Sequence, residues 1–276
     1  MIIPSVIFNS NKDINQGTIN WQYLKFASFR TSNQIKMLEY IIQYKLHVNY
    51  LFELIAALSG TYYILKNKSA PSRFKFFAWY LWFVFLGDLF GVYALWNFFD
   101  NYETFPWLKN SVFVNNVWWY NCLKLINYIV VTLILISSLD NLKHKQILKT
   151  AVLLFSIVGM TGIVFSGNFF TDYIIQNILL GTTLLFISVV IYLRELLLSD
   201  NILKYSRDLS FYIGVGYIVW DLCVTPIFIY QSYFNIKNEE FILLYAAVIR
   251  YSNIIMYSLF TFAFIYCAKS GKMKKL

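Results

Sequence analysis

The sequence predicts an all-α membrane protein, a bundle of seven transmembrane helices with its N-terminus outside and its C-terminus in the cytoplasm. Three observations support this fold class. The 276 residues are 59% hydrophobic and only 13% charged, whereas soluble chains carry about 25% charged residues. Seven apolar segments are long enough to cross a bilayer as helices. Lys and Arg residues collect in alternate connecting segments, as the positive-inside rule describes.

The first part of the chain, residues 1–44, differs in composition from the remainder. It is polar and mixed, without a sustained hydrophobic period, and it lacks the charged, apolar and cleavage regions of a signal peptide. Met37 stands just before the membrane-like pattern begins. We therefore expect a poorly ordered extension, or a start codon assigned too far upstream. A folded cap outside the membrane is the competing interpretation, but the segment has little apolar content to support one.

The transmembrane bundle is predicted to occupy residues 45–268, and a basic cytoplasmic tail, residues 269–276, comes after it. The connections between the spans are short and polar. The predicted spans are 45–66, 74–98, 115–139, 147–166, 173–198, 209–234 and 240–268.

The distribution of basic residues predicts the orientation. One side of the bundle holds fourteen Lys and Arg residues, and the opposite connections hold two, Lys109 and Lys237. This asymmetry predicts that the basic side is cytoplasmic, in what we expect to be a bacterial plasma membrane. It also explains the net charge of +9 without a nucleic-acid partner. The fourteen are Lys66, Lys68, Arg73, Lys75, Lys143, Lys145, Lys149, Arg194, Lys204, Arg207, Lys269, Lys272, Lys274 and Lys275.

The sixth span carries a carboxylate, Asp221, near its middle. An acid at that depth costs roughly 2.5–3.5 kcal/mol on insertion scales, so it should face protein or water. Tyr217 and Thr225 lie four residues on either side of it and share its helical face. Pro226 comes next, where a missing N–H frees a backbone carbonyl and favours a kink.

Five charged residues lie within the predicted spans: Glu53, Asp88, Lys124, Asp221 and Arg250. Counted from the outer end of each span, they occupy one layer between the midplane and the outer third. We expect them to pair with one another. Because Arg250 is always protonated and the sixth and seventh spans are neighbours in sequence, we expect Asp221 to pair with Arg250. Lys124 would then pair with Asp88 or Glu53.

Each charge also belongs to a stripe of polar or small residues, which predicts that these faces form the interior of the bundle. On the second span the pattern Gly87-x-x-x-Gly91 allows another helix to approach closely. The candidate ligand-binding residues are Glu53, Asp88, Tyr120, Lys124, Asn127, Tyr217, Trp220, Asp221, Arg250, Asn253 and Tyr257.

These stripes favour a membrane protein with a polar pocket that binds a small ligand or ion, as a carrier or sensor. One alternative is an intramembrane enzyme acting on lipid, with Asp88 or Asp221 as acid or base. The other is a structural or assembly subunit in which buried ion pairs only fix the helix register. The expected partners are the lipid bilayer and a small molecule or ion, and the sequence leaves the oligomeric state open.

No motif in the sequence predicts a metal or a cofactor. HExxH, CxxC, GxSxG and Walker A patterns are absent, and the three cysteines lie at unrelated spacings within apolar segments. The helix count and the spacing of Trp220 and Pro226 resemble microbial rhodopsins. That family links retinal to a lysine in its seventh helix, and the guanidinium of Arg250 cannot form that Schiff base. We therefore expect no cofactor and assign no family.

Overall fold

The computed structural model describes residues 35–199, 205–231 and 239–270, in which the regular structure is helical and no strand occurs. Residues 35–43 are helical. The helices that follow residue 43 are α1 Leu46–Lys66, α2 Ser72–Gly91, α3 Tyr93–Phe99, α4 Val117–Ser138, α5 Leu142–Phe165, α6 Ile175–Leu198, α7 Leu209–Gln231 and α8 Glu239–Ser270. A short 3₁₀ turn, Pro106–Leu108, lies between α3 and α4.

Among the described residues, seven helical segments are long and apolar enough to cross a membrane, with α2 and α3 together forming the second. The predicted seven-helix architecture is confirmed at this level. The orientation of the bundle stays a prediction. The predictions for residues 1–34 and for most of the basic tail lie outside the described residues.

The third span, α4, is the central helix of the bundle. It packs against α2, α5, α6 and α7, while the ring closes through α7 on α8, α8 on α1 and α1 on α2. In α4 56% of the residues in the membrane-spanning stretch are buried, compared with 22% in α5, whose main contacts among the described helices are with α4 and α6. A side chain on α4 can therefore reach most of the interior.

The second span is interrupted at Val92, between α2 and α3. There the side-chain amide of Asn116 donates a 2.7 Å hydrogen bond to the carbonyl of Gly91, and Trp119 Nε1 donates to the carbonyl of Gly87 at 2.7 Å. A Cβ atom on either glycine would press against Trp119 or Tyr120. The close approach expected at Gly87 and Gly91 is thus the contact between α2 and α4.

The fourth span begins at Leu142, five residues before the predicted start. The side chain of Asn141 caps the helix by accepting a 2.9 Å hydrogen bond from the backbone N–H of Lys143. The lysines that suggested a loop therefore lie in the first turns of α5, where long side chains can keep their charges at the membrane surface. The sixth span runs through Pro226 as one helix.

The described residues before α1 pack on the second span. The rings of Tyr40 and Phe99 lie 5.7 Å apart, and Leu46 and Leu95 are buried beside them. The chain enters α1 through Lys45, whose backbone has a φ of 52°.

Candidate functional site

A cavity of about 70 Å³ lies between α2, α4, α7 and α8, in the middle of the spans; we call it the central cavity. A buried water needs roughly 10–15 Å³ by this kind of measure, so the cavity has room for several waters, an ion or a small solute. Its lining residues are Tyr80, Val84, Asp88, Tyr120, Leu123, Lys124, Asn127, Tyr217, Trp220, Ile249, Asn253, Met256 and Tyr257.

Eight of the eleven predicted site residues line this cavity: all of them except Glu53, Asp221 and Arg250. They come together because the polar stripes of four helices face one point, with α4 in contact with two of the other three helices. Their role in binding a ligand stays a prediction.

Lys124 carries a cation into the wall of the central cavity. Its ammonium lies 4.5 Å from the ring centroid of Trp220 and 4.1 Å from that of Phe228, close enough for cation–π attraction to both. The nitrogen is buried and forms no hydrogen bond within the described residues. No described carboxylate lies within ion-pair distance of it. Two aromatic faces thus replace water around this cation.

Hydrogen bonds fix the amides in the cavity wall. Tyr80 donates its hydroxyl hydrogen to Asn127 Oδ1 at 2.8 Å, and Trp220 Nε1 donates to Asn253 Oδ1. Each asparagine oxygen is therefore held by an aromatic donor from a neighbouring helix. This arrangement leaves the amide nitrogens as donors near the cavity.

Asp221 lies beside the cavity in a hydrogen-bonded cluster of its own. Tyr128 donates to Asp221 Oδ1 at 2.9 Å, Thr182 lies 3.2 Å from the Tyr128 hydroxyl, and Thr182 and Thr225 share a hydrogen bond of 3.1 Å. The cluster joins α4, α6 and α7. It stabilises a carboxylate that is 2% exposed without a cation in direct contact.

Arg250 contacts residues other than the carboxylate that the sequence predicted as its partner. Its guanidinium donates a 3.3 Å hydrogen bond to the carbonyl of Tyr44 and lies 5.0 Å from the ring centroid of Tyr251. The predicted pair between Asp221 and Arg250 is wrong, because each has a different partner. The predicted pairing of Lys124 with Asp88 or Glu53 is also wrong. Glu53 is buried on α1 and does not line the central cavity.

A second cavity, of about 610 Å³, lies at the end of the bundle where the predicted basic side is; we call it the basic-end cavity. It is formed where α1, α4, α6 and α8 end at this side and where α2 and α7 begin. Its lining residues are Tyr63, Asn67, Ser69, Ala70, Pro71, Arg73, Phe74, Ser138, Asp140, Tyr192, Glu195, Leu196, Ser199, Arg207, Asp208 and Cys267.

Three buried phenylalanines, Phe77, Phe260 and Phe264, separate the two cavities; we call them the aromatic layer. The Phe77 ring lies 5.3 Å from Phe260 and 5.9 Å from Phe264. On one side Tyr217, which lines the central cavity, lies 5.3 Å from Phe260. On the other side Tyr63, which lines the basic-end cavity, lies 5.6 Å from Phe264. The three rings are at most 1% exposed, so packed aromatic side chains lie between Tyr217 and Tyr63.

Comparisons with protein-family models, with curated proteins and with solved structures find no match to this chain. The interpretation of the site therefore depends on its own chemistry.

The sequence did not single out Tyr80 and Tyr128. Tyr80 lies four residues before Val84 and eight before Asp88, so the spacing of four on α2 could have predicted that it shares the face of Asp88. Tyr128 lies four residues after Lys124 in the same way, but Asn127 was chosen for that face. Within the described residues no group of three or more His, Cys, Asp and Glu side chains could hold a metal ion.

Proposed function

We propose that the protein is a multi-pass membrane protein that binds a small ligand or ion in the central cavity, as a carrier. The observation that supports this most strongly is the central cavity itself, where four helices contribute polar or charged side chains at mid-span depth. Such groups are costly in a membrane and are retained mainly where they bind something or pair. Binding sites near the membrane midplane are typical of secondary transporters.

The basic-end cavity favours a carrier over a sensor. A carrier needs one route to its site from each side, closed in turn, whereas a sensor needs only one. Here the aromatic layer lies between two cavities whose linings share three helices, α2, α4 and α8. Rearrangement of three rings would connect them, which is the kind of local change that gating requires.

The other two classes find less support. A lipid-modifying enzyme could use Asp88 in the lining of the central cavity as its base, but the lining includes no Ser, Cys or His that would serve as a nucleophile. An assembly subunit needs only contacts between its helices, and such contacts do not require a cavity lined by polar side chains at mid-span depth. We further propose the orientation with the basic end in the cytoplasm of a bacterial cell.

A ligand screen on the purified protein tests this function. Amino acids, organic acids, sugars, amines and inorganic ions are added singly, and the thermal midpoint is measured. We expect at least one class to stabilise the protein and to exchange across the membrane in proteoliposome counterflow. Tyr257→Phe removes a hydroxyl from the cavity and should weaken that ligand several-fold, because a hydrogen bond contributes about 0.5–1.5 kcal/mol.

Tyr251→Phe is the matched control, since Tyr251 lies on the same helix and is 58% exposed. It should leave binding unchanged. Stabilisation without counterflow would indicate a sensor, and a screen in which no class of solute stabilises the protein would reject the proposal.

A further inference from the structure

We propose that the basic-end cavity is a second binding site and that its ligand carries a phosphate group. The phosphate could belong to a phospholipid headgroup or to a soluble phosphate compound. This inference does not depend on the central cavity or on transport. It rests on the two arginines, the helix terminus and the size of the basic-end cavity.

Neither of the two arginines that line the cavity has a carboxylate partner in the part of the chain that the structure describes. Arg73 Nη1 donates a 3.2 Å hydrogen bond to the carbonyl of Ser137, and its Nε is buried with no hydrogen-bond partner in the described part of the chain. Neither Arg73 nor Arg207 forms an ion pair with any described residue. The guanidinium group binds phosphate oxygens through several parallel N–H donors. Arg73 therefore has donor capacity that the protein itself does not use.

The N-terminus of α2 also faces this cavity. The helix begins at Ser72, its cap residue Pro71 makes no side-chain capping bond, and its first turn contains no acidic residue. Pro71, Arg73 and Phe74 all line the cavity. The unpaired N–H groups and the dipole of a 20-residue helix favour an anion at this point. Arg73 and the helix terminus thus favour the same charge.

Two of the three acidic side chains in the lining already have partners. Glu195 accepts hydrogen bonds from the backbone N–H groups of Asp140 and Asn141 and pairs with His144. Asp208 accepts from Tyr192 at 2.8 Å and from the N–H of Ser210 at 3.0 Å, where it caps α7. Their charges are therefore partly offset by these donors. The third, Asp140, is exposed and can turn to solvent.

The volume of about 610 Å³ lies within the range of small-molecule sites, roughly 300–1,000 Å³. The cavity lies at the ends of the spans, the depth at which lipid headgroups begin. Ser69, Ser199 and Asn67 add neutral groups that can bond the remaining phosphate oxygens or a glycerol hydroxyl. The site can accordingly accept either source of phosphate.

Thermal-shift titration of the full chain in a neutral detergent and a phosphate-free buffer tests the proposal. The probes are inorganic phosphate, glycerol 3-phosphate and dioctanoyl phosphatidylglycerol, at constant ionic strength, with dioctanoylglycerol as the lipid that lacks phosphate. We expect one or more phosphate probes to stabilise the protein, and dioctanoylglycerol to have no effect. Stabilisation by the phospholipid alone identifies a headgroup site, and stabilisation by the soluble probes as well identifies a site for soluble phosphates.

Arg73→Gln and Arg207→Gln should each raise the apparent dissociation constant about tenfold or more, because each removes charge-assisted hydrogen bonds. Arg194→Gln is the matched control, since Arg194 is exposed at the same end and does not line the cavity. If Arg73→Gln fails to fold, Arg207→Gln still tests the proposal, because Arg207 is exposed and its replacement should not prevent folding. No stabilisation by any phosphate probe, or an equal loss in Arg194→Gln, would overturn the proposal.

Discussion

The hydroxyl of Tyr128 donates a 2.9 Å hydrogen bond to the carboxylate of Asp221, and this bond joins the central helix α4 to α7. Both residues are 2% exposed. The carboxylate is therefore held by a neutral donor on another helix.

A double-mutant cycle on Asp221→Asn and Tyr128→Phe should show coupling of about 1–2 kcal/mol in the free energy of unfolding. Interhelical hydrogen bonds in membranes reach roughly this size when one partner is charged. Unfolding in mixed micelles with rising SDS measures each variant. The same cycle on Asp221→Asn and Arg250→Gln should be additive within about 0.5 kcal/mol, since these residues share no contact. Coupling in the second cycle and none in the first would contradict the described contacts.

Gly181→Ala should destabilise the protein by about 1–3 kcal/mol, the usual cost of overpacking a filled core. A Cβ on Gly181 would overlap the ring of Tyr128, which cannot move without losing its bond to Asp221. Gly214→Ala is the control, because there the nearest atom is Leu135 Cδ2 at 3.3 Å, on a flexible side chain. The two variants are compared by the same unfolding assay, and equal losses would argue against this packing.

The orientation can be read by thiol labelling in a chain whose three cysteines have been replaced. Cysteine substituted for Asp172 should react with an impermeant reagent applied to whole cells, and cysteine substituted for Asn141 should react only after lysis. Both positions are exposed, so access depends on the side of the membrane. The reverse pattern would place the basic end outside.

Phe77→Ala should open a path between the two cavities and make proteoliposomes leak protons or small ions. Phe77 is fully buried at the centre of the aromatic layer, and its truncation leaves a cavity that cannot close completely. Phe155→Ala is the control, because Phe155 is a buried aromatic on α5 that packs against Tyr128 and not in the layer. A leak of the same size in both variants would indicate general loosening of the bundle.

The sequence predicted the spans to within a few residues because length and hydropathy alone determine what can cross a bilayer. It did not predict the start of α5, which depends on the cap at Asn141, or the break at Val92, which depends on Asn116 bonding to Gly91. The first is a local side-chain contact and the second a contact between helices.

Polar stripes predicted most of the central cavity because a side chain that avoids lipid must face the interior. Pairing could not be predicted in the same way. Asp221 is held by Tyr128 and Arg250 by the carbonyl of Tyr44, and neither partner is charged. Matching of opposite charges by depth and sequence order therefore chose the wrong partners.

The most direct test of the central claim asks whether small polar solutes reach the central cavity. In the cysteine-free background, Asn253→Cys places a thiol in the cavity lining, and Ile255→Cys places one on the same helix at a position that is 57% exposed on the outside of the bundle. A thiol reacts as its thiolate, which forms only where water is present. We predict that a small charged methanethiosulfonate modifies Asn253→Cys in reconstituted bilayers and does not modify Ile255→Cys. An unreactive thiol at position 253, or equal rates at both positions, would contradict the account.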